Sequence, residues 1–228
     1  MTVRVSVIIP MFNSERYLSA AIESVLQQTM KVFELIVVDD GSTDHSVMIA
    51  NSYAKYGVRV VQQAHRGAAV ARNLGVSQAT GDYIAFIDSD DYWTPDKLEK
   101  QLDKLRHQPY VHGVFGYIQQ FLSPELSDIE KKRYQCVTTP QPGYSVGCLL
   151  MKRDDFLKVG LFSDHLQVGE FIEWYVCAQQ QGFSFAMLDD VVLHRRIHGR
   201  NMTLTNPAAT HTDYLKIIRK KLQHASSI

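Results

Sequence analysis

Three carboxylates crowd four positions, Asp88-Ser89-Asp90-Asp91, directly after the apolar run Tyr83-Ile84-Ala85-Phe86-Ile87. Like charges a few ångströms apart raise one another's pKa, so such a cluster is costly unless a cation relieves it. Hard oxygen ligands suit Mg2+ or Mn2+, and the Asp88-x-Asp90 spacing predicts a site for a divalent metal or a metal-bound phosphate. The competing reading makes these acids caps of the next helix. Thr94-Pro95-Asp96 already offers that helix an N-cap and an early proline, which leaves Asp88 and Asp90 without a purely structural task. Another acid pair, Asp39-Asp40, precedes Gly41-Ser42 after the run Phe33 to Val38, and the turn Pro10-Met11-Phe12-Asn13 follows the run Val3 to Ile9.

The elements that must hold these groups read clearly in the first half. Val3 to Ile9, Phe33 to Val38 and Tyr83 to Ile87 read as strands buried on both faces, and Val58 to Val61 as a further strand between the last two. Between them the spacing predicts three helices. The first carries Tyr17, Leu18, Ala21, Ile22, Val25 and Leu26 behind a cap at Asn13 or Ser14. The second starts at Asp44, and the third, rich in small residues, runs from Gly67 to Ala79. Strand and helix alternating with short links predict an α/β fold, a mostly parallel sheet with helices on both faces. Ligands of such sheets bind beyond the carboxyl ends of the strands, so the three unusual turns are expected to converge on one crevice.

The second half is less regular. Val111 to Phe121 reads as a strand, Ser123 to Gln141 as a mobile polar excursion, and Ser145 to Met151 as a short buried strand. Arg153 to Val159 and Phe171 to Gln180 read as helices, Leu161 to Gly169 as a loop, and Phe183 to Leu188 and Val191 to Leu193 as two strands. We expect one continuous domain, with residues 1–115 holding the ligand and 116–228 completing the site and ending in a helix.

Composition narrows the class. The 228 residues carry 24 Lys+Arg against 24 Asp+Glu, so bulk charge points away from nucleic acid. Cys136, Cys148 and Cys177 are far apart, which suggests reduced thiols in a cytoplasmic protein. The start, Met1-Thr2-Val3-Arg4-Val5, has no signal-peptide layout, and no apolar run approaches the ~20 residues needed to cross a bilayer. Lys216, Arg219, Lys220 and Lys221 in the tail allow at most peripheral contact with the inner face of a membrane. The tail helix packs within the chain or against a second copy, which leaves an oligomer open.

Five linked stretches resemble glycosyltransferase family 2: Val5-Ser6-Val7-Ile8-Ile9-Pro10-Met11-Phe12-Asn13, Ser24-Val25-Leu26-Gln27-Gln28-Thr29, Val37-Val38-Asp39-Asp40-Gly41-Ser42-Thr43-Asp44, Ala71-Arg72-Asn73-Leu74-Gly75 and Asp88-Ser89-Asp90-Asp91. The resemblance implies a GT-A fold. It also implies an inverting, metal-dependent transfer from a nucleotide-sugar, with UDP-sugars favoured, to a glycan, lipid-linked or peptide acceptor. On it, Asp90 becomes the metal carboxylate of a D-x-D motif, with Ser89 beside it and Asp88 near the donor ribose or metal shell. Mn2+ or Mg2+ would bridge the diphosphate. Phe12, where the family usually has Tyr, would stack on the base, and Asp40 would accept a hydrogen bond from it. Arg72 would touch base or phosphate, while Pro10, Asn13 and Glu15 shape the pocket.

The general base implied is an acid ahead of a tryptophan-bearing helix, here in Gly169-Glu170-Phe171-Ile172-Glu173-Trp174. Phe171 replaces the usual Asp, so Glu170 is nominated first, Glu173 second and Asp164 third. In the basic run from His194 to Asn201, His198 resembles a metal ligand, and Arg195 or Arg196 a phosphate clamp. Two other classes remain: a non-catalytic nucleotide-sugar-binding module and a nucleotidyltransferase. The latter normally wants a glycine-rich phosphate loop after the first strand, which Pro10-Met11-Phe12-Asn13 is not.

Overall fold

The computed structural model describes residues 3–166 and 168–201. The basic tail and its expected helix therefore lie outside the described residues. The elements, in order, are β1 (Val5–Met11), α1 (Leu18–Leu26), β2 (Glu34–Asp39), α2 (Ser46–Ser52), β3 (Val58–Gln62), α3 (Ala68–Gln78), β4 (Tyr83–Phe86), β5 (Tyr92–Trp93), α4 (Lys97–His107), β6 (Gly113–Leu122), α5 (Asp128–Lys131), β7 (Gln141–Pro142), β8 (Leu150–Lys152), α6 (Arg153–Val159), α7 (Glu170–Gln180) and β9 (Phe185–Ile197). Among the described residues the strands form a single nine-stranded sheet in the order β3-β2-β1-β4-β8-β6-β9-β5, with β7 added on β6. Strands β3, β2, β1 and β4 are mutually parallel, as the alternation of strand and helix predicts; β3 lies at the sheet edge, with Arg59 and Gln62 exposed. Antiparallel β8 then joins this half to β6 and β9, so both halves of the chain share one sheet.

Close packing of α3 brings the first half to its working geometry. A Cβ on Gly75 would lie 2.4 Å from Cγ2 of Ile8, so only glycine lets α3 settle directly on β1. Arg72, about one turn earlier on α3, is thereby carried to the carboxyl end of the sheet. Ile8, Ile36, Ile84 and Phe86 fill the centre of the core without solvent exposure.

Five local expectations differ from the structure, and side-chain bonds account for several of them. Helix α4 begins at Lys97, and the Thr94 hydroxyl does not cap it but donates to the Val191 carbonyl. The buried N–H of Leu98, in its first turn, is satisfied instead by Gln28 Oε1. Neither Asn13 nor Ser14 caps α1 with its side chain. The expected strand from Ser145 to Met151 shortens to β8 behind a 3-10 turn at Val146–Cys148, because the carbonyls of Gly147 and Cys148 are claimed by Trp93 Nε1 and Gln101 Nε2. The two expected late strands are one, β9, which runs through Asp189 and Asp190 with its register against β6 shifted around Tyr117. The segment from Ser123 to Gln141, expected to be mobile, carries α5, closed by a Ser127–Glu130 capping box, and the short β7.

Lys97 is fully buried, its ammonium 4.1 Å from the Trp93 ring centroid and bonded to Gln101 Oε1. Burial pushes its pKa down to about 7 from 10.5. Between those values the unfolded chain binds the extra proton, so Lys97's contribution to stability rises with pH from about 7 towards 10.5. Lys97→Met removes that rise. Its stability relative to the parent should be most favourable below pH 7 and decline above it, as read by denaturant midpoints across this range.

Candidate active site

The loops after β1, β2, β3 and β4 meet at the carboxyl edge of the sheet. Asn13 is the only non-glycine residue with positive φ (47°) among those described, a conformation Asn tolerates. From there its Oδ1 accepts the Thr43 N–H (2.8 Å), and its own N–H donates to Ser42 Oγ (3.0 Å). The Ser14 hydroxyl lies 2.7 Å from the Ser89 hydroxyl. Asn13 and Ser14 thus tie the three unusual turns together. Pro10 is buried within β1 opposite Val38. Glu15 sits further out, accepting from the backbone and ring of His45.

On one side of this crevice Phe12 is 44% exposed. The ring of His65, from the loop between β3 and α3, stacks on it with centroids 4.1 Å apart and planes at 27°. Beneath them Asp40 is 2% exposed. Its Oδ1 accepts from Arg66 N (2.8 Å) and Gln63 Nε2 (2.7 Å), and its Oδ2 from Gly67 N (2.8 Å). The neighbouring Asp39 is likewise buried and accepts from Ser42 N and Gln62 Nε2.

On the other side, the acid turn after β4 is built into a charged lattice. Arg72, 5% exposed, donates through Nη2 to Asp88 Oδ1 (2.6 Å) and through Nη1 to Glu170 Oε1 (2.5 Å). Burial works against this guanidinium's charge, but the two carboxylates more than offset it and raise its pKa. Its Nε is buried without a protein partner. Asp90 Oδ2 lies 2.9 Å from His198 Nε2 and 3.3 Å from Asn201 Nδ2. Arg196 donates its backbone N–H to Asp91 Oδ1 (2.9 Å) and its Nε to the Asp90 carbonyl (3.0 Å). Its guanidinium stands 4.7 Å from the ring centroids of both Tyr17 and Phe121. Burial, and then the charges of Asp90 and Asp88, push the Asp91 carboxyl well above the usual carboxylate range.

The nominated acids divide by position. Glu170 opens α7 and faces Arg72. Glu173, one turn on, is buried rather than part of a solvated helix face, and Asp164 is exposed in the loop before α7. Phe171 belongs to an aromatic cluster with Phe115, Phe162 and Trp174.

If a divalent cation binds here, Asp90 and His198, hydrogen-bonded to each other, are the side chains that would hold it. Among the described residues no group of three or more His, Cys, Asp or Glu side chains could hold a metal, so protein ligands alone do not complete a shell. Asp90 Oδ2 and His198 Nε2, 2.9 Å apart, match the roughly 3 Å between neighbouring ligand atoms around a cation with bonds of ~2.1 Å. A cation there would need further oxygen ligands from outside the protein, as Mg2+ commonly does.

Sequence reasoning missed His65 and Gln63, and gave Asp39 and Asn201 no role of their own. The rule that ligands gather at strand ends was applied to three of four strands; applied to β3 as well, it points to Gln63 and His65. Asn201 has no comparable signal. Because Asp40 accepts backbone donors on both oxygens, Asp40→Asn must turn an NH2 donor towards one of them. We expect a loss of about 1–3 kcal/mol, measured by urea denaturation.

Residues 6–160 match the family model described as Glycosyl transferase family 2. An "Uncharacterized glycosyltransferase" of Haemophilus influenzae is 40% identical over 140 residues, 59% of this chain and 52% of the relative. The "Putative teichuronic acid biosynthesis glycosyltransferase TuaG" of Bacillus subtilis is 43% identical over 116 residues, 50% of this chain and 46% of the relative. The chain thus spans about half the length of these relatives. Crystal structures of S. aureus TarS 1-349 share the fold: the UDP complex at TM-score 0.67 and 21% identity, covering 85% of this chain and 60% of that one, and the UDP-GlcNAc complex at 0.70 and 21%, covering 88% and 60%. The mixed α/β sheet is the GT-A arrangement expected from the motifs, and with the family model spanning β1 to α6 the chain belongs to glycosyl transferase family 2.

Proposed function

We propose that this chain transfers a sugar from a nucleoside-diphosphate-sugar, with UDP-sugars favoured, to a hydroxyl of a glycan-type acceptor, using Mn2+ or Mg2+ and inverting the anomeric centre. One juxtaposition carries the reading. A single buried guanidinium, Arg72, bonds both Asp88 of the acid turn and Glu170 at the head of α7. The group expected beside the donor and the group expected beside the acceptor therefore share one partner. The TarS complexes with UDP and UDP-GlcNAc support the nucleotide, and the naming of TuaG for teichuronic acid biosynthesis supports a polysaccharide product.

In this reading Phe12 offers an aromatic face to the base and the Asn13–Ser42 clip fixes the pocket rim. Asp90 and His198 would hold the metal, which when bound neutralises charge on the leaving diphosphate. Arg196 fixes the acid turn through the Asp90 carbonyl. Glu170 has Oε1 held by Arg72, which leaves Oε2 to take the acceptor proton. The acceptor oxygen then bonds the anomeric carbon from the face opposite the diphosphate, and the bond to the phosphate oxygen breaks.

The test is a panel of nucleotide-sugars with a polysaccharide acceptor, following nucleoside diphosphate release. Asp90→Ala should lower turnover roughly a hundredfold or more and blunt its response to Mn2+. Glu170→Gln should reduce transfer by about 10²–10⁴-fold while leaving UDP binding intact. Full activity in Asp90→Ala would remove the metal assignment, and full activity in Glu170→Gln would move the base to Glu173. One observation favours a second reading, a binding module without turnover: Phe171 is core where the family usually places Asp. UDP binding without release from any donor would select it.

A further inference from the structure

The proposed base pocket contains an aromatic heterocycle belonging to the protein itself. His65 lies flat on Phe12, 4.1 Å between centroids. Its Nδ1 is 3.1 Å from the Asp40 carbonyl and 2.8 Å from Asp40 Oδ2. Both are acceptors, so Nδ1 carries the proton in this arrangement. A planar ring that stacks on Phe12 and presents an N–H to Asp40 reproduces the two contacts expected of a nucleobase in this pocket.

Asp40 has no capacity left for a second such partner. Its Oδ1 is taken by Arg66 N and Gln63 Nε2, and its Oδ2 by Gly67 N with His65 Nδ1 beside it. A carboxylate offers about four acceptor sites, and here all four are faced by donors. Two of those donors are backbone groups at the start of α3 and stay fixed. A base reaches Asp40 only if a side chain withdraws, and His65 is the one that also covers Phe12.

The backbone of His65 is not the part that moves. Gly41, at φ +80°, approaches so closely that a Cβ there would lie 3.0 Å from His65 N and 3.4 Å from His65 Cβ. The ring itself is 58% exposed, so rotation about its side-chain bonds carries it into solvent without disturbing the loop.

We propose that His65 is an intramolecular occupant of the nucleobase seat, displaced when the donor binds, so that it sets donor affinity by competition. The inference rests on the nucleotide-sugar reading and adds a residue to it. An aromatic pair of this kind is worth ~0.5–1.5 kcal/mol, and a seat filled by its own side chain weakens apparent affinity in proportion to its occupancy. Removing the ring should therefore tighten binding by roughly two- to tenfold.

Isothermal titration with UDP in Mn2+ tests this on the parent, His65→Ala and Phe12→Ala. The expected result is tighter binding by His65→Ala, weaker binding by Phe12→Ala, and no change in affinity for inorganic pyrophosphate, which has no base. Weaker or unchanged UDP binding by His65→Ala, while the parent binds, would overturn the inference and leave the nucleotide reading standing; His65 would then be a wall of the pocket. Equal tightening for UDP and pyrophosphate would also overturn it. No UDP binding by either the parent or His65→Ala would remove the nucleotide reading and this inference together.

Discussion

A buried guanidinium shared by two carboxylates is the constraint on which the rest of the site depends. Arg72 rises from α3 with almost no solvent around it and bonds Asp88 from the first half of the chain and Glu170 from the second. A charge this far out of water is tolerable only while it is paired. The sheet edge, the acid turn and the head of α7 must therefore close together. Gly75 makes the placement possible by letting α3 lie on Ile8, and the Ser14–Ser89 contact keeps the β1 loop against the same turn.

Around that centre the crevice separates two kinds of chemistry. The end beside β2 and β3 is neutral to stacking: Phe12, His65 and an Asp40 wrapped in N–H donors. The end beside β4 gathers carboxylates among cationic partners, with the Asp91 carboxyl pushed up by burial and its acidic neighbours, and Asp90 against His198. A nucleoside diphosphate is divided in the same way, a flat uncharged base at one end and a charged group at the other, and the proposed metal would be what lets that group sit against the acids. The proposed reaction follows from that match and from Glu170 standing across the acid turn.

Much of this was legible in the sequence because the relevant signals are local. Strands β1, β2 and β4 are almost wholly buried, so their apolar runs mark them, and their unusual turns sit directly at their ends. The second half was less legible because distant side chains decide it. Whether residues near Gly147 form a strand depends on Trp93 and Gln101 taking their carbonyls. Whether Thr94 caps a helix depends on a carbonyl of β9. Glu170 was nominated from a motif, but its pairing with Arg72, across 98 positions, has no sequence signature. His65 is a histidine in a loop until topology lays it on Phe12.

Urea denaturation of Arg72→Met, Glu170→Gln and the double variant measures the shared pairing most directly. If Arg72 holds the two halves of the site together, Arg72→Met alone should cost about 3–5 kcal/mol by stranding two carboxylates. The double variant should then be more stable than the sum of the single losses predicts, by at least ~1 kcal/mol. Losses that add to within ~0.5 kcal/mol would contradict that role and leave Glu170 and Asp88 as independent neighbours of one arginine.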